Sequence, residues 1–335
     1  PIKNAREMVG KGVFTLRNIE DAKEIRKYMD RKGVQNAVII GGGLLGLELA
    51  KQVKNCDLKT TVVEFFPRLL PKQLDVDCGG MLKKLIEDMG IRVELDAATE
   101  EIVGNDHVEE IRIKDGRVIP ADMVLIQAGI VPNIELAEDA KIDTNRGIIV
   151  NEYLETSSKD IYAVGDCIEY EGQTWGIIPA CIEQSKVVGA SVSNEKDQEY
   201  EGTVPKNTLK IVGIDLTSIG IYDPKDEDLV GAGYEILKSM DEKSNCYKKI
   251  VLKDNKIKGA ILFGDKKPVP FVSKNIESQV EEAELRDVVE MHKWKCGGCG
   301  HIYDDGKREK PFNELPEDWK CRRCGAKKDT FEKVV

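Results

Sequence analysis

The feature that most constrains this chain is a short apolar run, Asn36-Ala37-Val38-Ile39-Ile40, that breaks into Gly41-Gly42-Gly43-Leu44-Leu45-Gly46. A buried strand, a glycine turn, a helix to about Val53 and a second strand, Thr60-Thr61-Val62-Val63-Glu64, make a βαβ unit with a parallel sheet. Gly41, Gly43 and Gly46 satisfy G-x-G-x-x-G. The first permits the tight turn, the second lets backbone approach a pyrophosphate, and the third allows close helix–strand packing. The phosphates would lie against the amides at the helix N-terminus. Glu64 ends the second strand 23 residues after Gly41. An acid there accepts from the ribose 2′-OH of NADH and repels a 2′-phosphate. NADH is therefore the expected cofactor, although Arg68 is close enough in sequence to reach a phosphate. A ligand-free glycine turn is the plain alternative. Glu48 sits in the following helix amid Leu47, Leu49 and Ala50. An acid in such a stretch is costly to bury unpaired, so it either faces solvent or has a use near the nicotinamide.

Composition narrows the function classes. The 335 residues carry 50 Lys/Arg against 60 Asp/Glu, a net charge of −10, which argues against a broad nucleic-acid-binding face. The longest apolar run, residues 37–50, is too short to span a bilayer. No basic and apolar leader opens the chain, so a cytoplasmic protein without a membrane partner is expected. Of nine cysteines, Cys56, Cys78, Cys167, Cys181 and Cys246 are scattered singly, as thiols in a reducing compartment are. With only His107, His292 and His301, no histidine-centred hydrolytic constellation forms.

The remaining four cysteines are Cys296-x-x-Cys299 and Cys321-x-x-Cys324, 21 residues apart. Two such knuckles place four thiolates around one iron or zinc ion. Gly300 and Gly325 follow the pairs, where a residue without Cβ can take φ > 0 and turn amides toward sulfur. A 43-residue module of this kind has too small a core to stay folded without its metal. Residues 293–335 hold eleven Lys/Arg and eight Asp/Glu, a basic tail on an acidic body.

Elsewhere the patterns predict a helix over residues 19–32 with Asn18 as N-cap and Gly33 as its stop, and a helix over 76–89 followed by a strand over 91–95. They also predict strands over 108–114 and 117–119 about Asp115-Gly116, and strands over 124–127 and 161–164. A helix over 179–190 and a strand-rich α+β region over 203–271 follow, and 276–291 reads as an acidic helix or linker with Arg286 as its single arginine. The expected organisation is α/β: a Rossmann-like NADH-binding domain (1–131), part of an FAD-binding domain (132–200), a C-terminal α+β domain (201–285), and a linker with the small metal module (286–335).

Residues 11–265 resemble the pyridine nucleotide–disulfide oxidoreductase superfamily, in particular its NADH:rubredoxin oxidoreductase-like flavoproteins. The resemblance is carried by Phe14-Thr15-Leu16-Arg17-Asn18-Ile19-Glu20-Asp21-Ala22, the turn over residues 41–48, and Val63-Glu64-Phe65-Phe66-Pro67-Arg68-Leu69-Leu70. Ala128-Gly129-Ile130-Val131-Pro132-Asn133 and Ile161-Tyr162-Ala163-Val164-Gly165-Asp166 complete it. It implies that Gly165 and Asp166 hold the ribityl chain of FAD, that Arg17 lies near the flavin, and that Pro179-Ala180 start a helix beside the isoalloxazine ring. Gly129 belongs to the cofactor set, and Glu48 would be the catalytic acid that pairs with a lysine near the flavin. The resemblance also implies another strand–glycine–helix unit of roughly a hundred residues ahead of Pro1, to cradle the FAD adenosine. This chain alone is accordingly expected to bind FAD weakly or not at all. The superfamily's C-x₄-C redox disulfide has no counterpart among the cysteines.

The tail resembles rubredoxin, through Trp294-Lys295-Cys296, His301-Ile302-Tyr303-Asp304, Pro311-Phe312, Leu315-Pro316-Glu317-Asp318-Trp319 and Lys328-Asp329-Thr330-Phe331. The resemblance favours iron, with zinc left open. It departs from rubredoxins in a shorter segment between knuckles and in Arg322-Arg323, where proline is usual. Together the two resemblances imply an NADH-dependent flavoenzyme passing electrons through FAD to its own rubredoxin domain and on to a downstream redox protein, with a homodimer left open. The competing reading is a non-catalytic NADH-binding scaffold that carries a rubredoxin or zinc-ribbon docking module.

Overall fold

In the computed structural model, residues 2–31, 33–193, 198–211, 213–224, 233–290, 292–305 and 312–333 are described. The chain divides into two units, one of Pro1–Ala128 with Lys206–Val335, the other Gly129–Pro205.

The apolar runs of the first unit build a parallel sheet. Its strands are β1 (Val13–Phe14), β2 (Asn36–Ile40), β3 (Lys59–Val63) and β4 (Arg92–Glu94). A side sheet of β5 (Thr99–Gly104), β6 (Val108–Ile113) and β7 (Val118–Pro120) follows, and β8 (Met123–Ile126) returns to the main sheet, whose order is β1-β8-β2-β3-β4. Residues 37–40 of β2 are all buried, as a strand covered on both faces must be. Helices α1 (Ile19–Met29), α2 (Leu44–Lys54) and α3 (Val76–Asp88) cover one face through Ile25, Leu47, Ala50, Val53, Leu82 and Ile86. The antiparallel side sheet covers the other through Ile102, Ile111 and Ile119. Asn18 caps α1 by accepting from the Glu20 and Asp21 amides, and Asp21 accepts back from the Asn18 amide in a capping box. The helix stops at Met29, before the expected Gly33, because Asp30 already serves as its C-cap.

The second unit holds α4 (Glu135–Asp139), the short pair β9 (Ile148–Ile149) and β10 (Ile168–Glu169), and α5 (Ile178–Val192), with β10 and α5 contributing to a core of Leu154, Ile168, Trp175, Ala180, Val187 and Tyr200. The strand expected over 161–164 is not formed. Only Tyr162 makes an isolated bridge, to Glu155, and Ile161 and Val164 lie exposed. Apolar character there does not report burial within this unit, and with a single bridging partner the backbone has no ladder to join.

The first unit resumes with β11 (Lys206–Ile211), β12 (Ile214–Gly220), β13 (Tyr234–Asp241), β14 (Cys246–Lys253) and β15 (Lys256–Phe263), an antiparallel sheet in the order β11-β12-β15-β14-β13. Its face bearing Leu216, Tyr247, Ile261 and Phe263 joins the core beneath α2 and α3. Its other face buries Ile250 and Leu262 against Val272 of α6 (Val269–Lys274) and Leu285 of α7 (Glu282–Val288). The acidic 276–291 stretch thus contains one short helix. The terminal module is a three-stranded sheet, β17 (Ile302–Asp304), β16 (Lys293–Cys296) and β18 (Phe331–Lys333), in that order.

Candidate nucleotide and metal sites

The glycine turn is dictated by steric necessity. Gly41 has φ +118°, and a Cβ on it would lie 2.3 Å from the Gln127 carbonyl oxygen. A Cβ on Gly46 would lie 2.0 Å from the Gly41 carbonyl oxygen. Gly43, by contrast, has open space on its Cβ side, and as N-cap of α2 it leaves the first-turn amides without a side-chain cap. Turn and helix therefore present unfilled N–H donors on the side where backbone is bare, the arrangement that binds a phosphate. Glu64 is 6% exposed, and its carboxylate accepts from the Gly42 amide at 2.6 Å and the Phe66 amide at 2.9 Å. It fixes the turn, and the remaining lone pairs of each oxygen are the ones left for a ribose hydroxyl. Glu48 is half-buried on α2.

Arg68 does not face an open phosphate position. Its guanidinium donates to the Leu74 and Pro71 carbonyls and pairs with Asp223 at 3.0 Å. Asp223 also meets Lys249 at 3.4 Å, and Lys249 pairs with Asp75 at 2.8 Å, both of these latter side chains being buried. Tyr247 donates to Asp75 at 2.5 Å. Burial would raise the Asp75 carboxyl, but the Lys249 ammonium and the Tyr247 hydroxyl outweigh it and hold it below its usual value, while burial and that same carboxylate push the Tyr247 phenol far up. This network joins the nucleotide lobe to the antiparallel sheet. The sequence hides it, because Asp75 lies more than 170 positions from Tyr247 and Lys249.

The flavin candidates split between the units. Arg17 is exposed in the first, with its amide on Asp21. In the second, Gly129 is exposed with φ +104°, and Gly165 has φ +92° with its amide donating to Gln184 Oε1 at 2.8 Å. Asp166 is exposed and accepts from the Cys181 thiol. Pro179 is exposed at the start of α5, where no side chain caps the amides, and Ala180 is fully buried in the unit's core. Gly165, Asp166 and the uncapped α5 thus offer donors, an acceptor and bare backbone together, a set that fits a polar cofactor chain. Gln184, which also donates to Tyr200, escaped the sequence reading. Its one signal is its place a helical turn after Ala180, on the same face.

The four cysteines converge. Their Sγ atoms all lie within 4.8 Å of one another, with Cys296 and Cys324 3.6 Å apart and Cys299 and Cys321 3.8 Å apart. Metal–sulfur bonds of about 2.3 Å give a tetrahedral edge of about 3.8 Å, so the donor set fits one tetrahedral ion. Gly300 and Gly325 take φ +69° and +75°. Burial would raise the Cys321 thiol, but the Arg323 and Cys324 amides outweigh it and bring it down to about 7. The Ala326 amide favours the Cys324 thiolate, yet hydrogen bonding with Cys299, burial and the other thiols push it up to about 12. Four sulfurs this close ionise together only around a cation. Trp294 stacks on Phe312 at 4.7 Å, with Tyr303, Trp319 and Phe331 completing an aromatic core against the buried Cys296 and Cys321.

Comparison with known proteins agrees with this geometry. The pyridine nucleotide-disulphide oxidoreductase profile matches residues 2–185, more than half of the chain. The chain belongs to this family. The rubredoxin NAD+ reductase C-terminal domain matches residues 205–280, and rubredoxin matches 293–331. Family relatives include a Bacillus subtilis nitrite reductase [NAD(P)H], 40% identical over 255 residues covering 76% of this chain and 31% of that protein. Another is the Clostridium acetobutylicum NADH-rubredoxin oxidoreductase, 32% identical over 253 residues covering 76% of this chain and 60% of that one. A solved NAD-dependent persulfide reductase from A. fulgidus superposes with a TM-score of 0.70 at 28% identity, over 82% of this chain and 53% of that one. The chain thus spans between about a third and three fifths of the length of these relatives. No helix among the described residues is long and apolar enough to cross a membrane.

Proposed function

We propose that this chain carries the NADH-binding and rubredoxin portions of an oxidoreductase that moves electrons from NADH through FAD to a four-thiolate iron and on to a downstream redox protein. The observation that carries the reading is the presence, on one chain, of a glycine turn with its buried acid and four converging thiols spaced for one tetrahedral ion. Such a flavin, when bound, would supply the conversion of a two-electron hydride into single electrons. The protein's part is positioning. Gly41, Gly43, Gly46 and the α2 amides hold the pyrophosphate, and Glu64 takes the ribose hydroxyl. Arg68, occupied by Asp223, is withheld from a 2′-phosphate, which supports NADH over NADPH. Gly129, Gly165, Asp166, Arg17 and the Pro179-Ala180 helix start are the flavin-side candidates, and Glu48 is the acid assigned to the reacting end. Cys296, Cys299, Cys321 and Cys324 hold the iron, and the aromatic core covers the side of Cys296 and Cys321. The covalent linkage sets the acceptor's effective concentration at about millimolar.

One visible spectrum tests the assignment. The iron-loaded chain is expected to show iron–thiolate charge-transfer bands and to bind NADH, read by nucleotide fluorescence, and where added FAD is retained anaerobic NADH is expected to bleach the bands. A purified protein holding only zinc, no NADH binding, or iron bands unmoved by NADH in a chain that has retained FAD, overturns the reading.

A further inference from the structure

The metal module has two unlike faces. Toward the body it is anchored: Arg286 of α7 reaches Asp304 at 3.1 Å with both side chains about nine-tenths buried. Lys293 pairs with Glu282 at 3.0 Å, and Lys333 with Asp287 at 3.0 Å. At the second knuckle the charges have no such partners among the described residues. Residues 320–327 contain Lys320, Arg322, Arg323 and Lys327 and no acid, and all four cations are exposed around the exposed ligand Cys324. None of the four forms an ion pair among the described residues, whereas the neighbouring Lys328 is tied to Glu317 and the Leu315 carbonyl. The nearest acids in sequence are Asp318 and Asp329.

Lys320 and Lys327 also face each other directly as an antiparallel bridge. Like charges placed opposite across strands cost stability, and among the described residues no acid pairs with either ammonium to offset it.

We propose that this knuckle is a docking surface for a separate redox protein whose contact face is acidic, the cations surrounding Cys324 being the recognition elements. The inference rests on the reading of the module as an electron carrier. Among the described residues the acidic body supplies none of these cations with a partner, and the contacts to α7 fall on β16, β17 and β18 instead. Opposed charge at such a surface raises the association rate and fixes orientation.

The test is binding of an acidic flavodoxin to the full zinc-substituted chain, measured by calorimetry, so that no electron-transfer activity is needed. Affinity is expected to fall about tenfold between about 50 and 200 mM salt, where surface charges become screened. Arg322→Glu/Arg323→Glu is expected to weaken it by about tenfold or more at the lower salt, and the Lys/Lys variant at the same positions to retain it. Lys320→Gln/Lys327→Gln provides a check independent of folding failure: the module's melting temperature should rise while binding weakens. Salt-independent binding, equal affinity of the charge-reversed chain, or equal binding of a basic c-type cytochrome overturns the proposal. An iron-loaded chain lacking thiolate bands would instead overturn the electron-carrier reading on which it rests.

Discussion

The glycine turn and the cysteine knuckles are both built from tight backbone turns with bare amides, yet they owe their shape to different things. The turn is pinned before any ligand arrives. Gly41 and Gly46 are pressed against carbonyl oxygens, Glu64 holds the Gly42 amide, and the core beneath contains fully buried Leu47, Leu82 and Ile86. The knuckles rest on a handful of aromatics and on thiols whose acidities are driven apart, one to about 7 and another to about 12. A large core can preorganise a site; a small one needs its ligand to finish it.

The largest effect expected from this contrast is metal loss. Cys296→Ser, or a strong chelator, should withdraw on the order of 10 kcal/mol of folding free energy from the module. Amide exchange should accelerate across residues 293–333 and remain slow in β2 and β3. Uniform loss of protection through the nucleotide lobe would show that the two regions fold as one.

The glycines come next. Gly46→Ala drives a methyl into the Gly41 carbonyl and should destabilise the lobe by about 3 kcal/mol, as overpacking of a closed contact does. Gly43→Ala enters open space. It should leave the melting temperature unchanged while weakening NADH, read by nucleotide fluorescence, because its methyl occupies the approach of the pyrophosphate. Equal loss of stability in both variants would contradict the division of labour between these two glycines.

What could be read from the sequence follows the same line. The βαβ unit, the Asn18 cap and the thiol tetrahedron depend on residues near one another in the chain, so period and spacing reveal them. The strand over 161–164 failed because an apolar run records a tendency to be covered, and its backbone pairing is confined to the single bridge of Tyr162 with Glu155 and the bonds that flank it, too short for a ladder. Strand β5 was not anticipated, and β12 was covered only by the strand-rich reading of 203–271, without bounds of its own. Thr99–Gly104 includes Glu100 and Glu101 and shows little alternation, and Ile214–Gly220 carries Asp215, Thr217 and Ser218 in a strand that is largely buried. The Asp75–Tyr247–Lys249 network was illegible for another reason: a pattern shows that a residue is charged, and only the tertiary fold shows which distant charge it meets.

A buried ion pair separates the two regions further. Arg286→Met removes the guanidinium from Asp304 inside the contact between α7 and the metal module, and breaking one partner of a buried pair costs about 3–5 kcal/mol. Loss is expected in the module's exchange protection and in urea unfolding followed by tryptophan fluorescence, since Trp294 and Trp319 both lie in it. NADH affinity should not move. An effect under about 1 kcal/mol would place this pair with exposed salt bridges.

The smallest effect concerns the lobe's own buried acid, and its sign follows from the direction of its titration. Asp75 is held below the usual carboxyl value of 3.8, so the stability its ionised form supplies is complete above that pH and is lost as pH falls through the lowered folded value. Tyr247→Phe deletes one hydrogen bond to that carboxylate while Lys249 stays in place, a change worth about 1.5–3 kcal/mol for a bond to a charged group. The deficit should stand at full size at neutral pH and shrink as acid protonates Asp75, so that urea midpoints of the two proteins converge below pH 3.8. Midpoints that stay parallel down to acid would mean that Tyr247 stabilises the lobe through its ring packing alone, and the hydroxyl would then be a passenger on an aromatic contact.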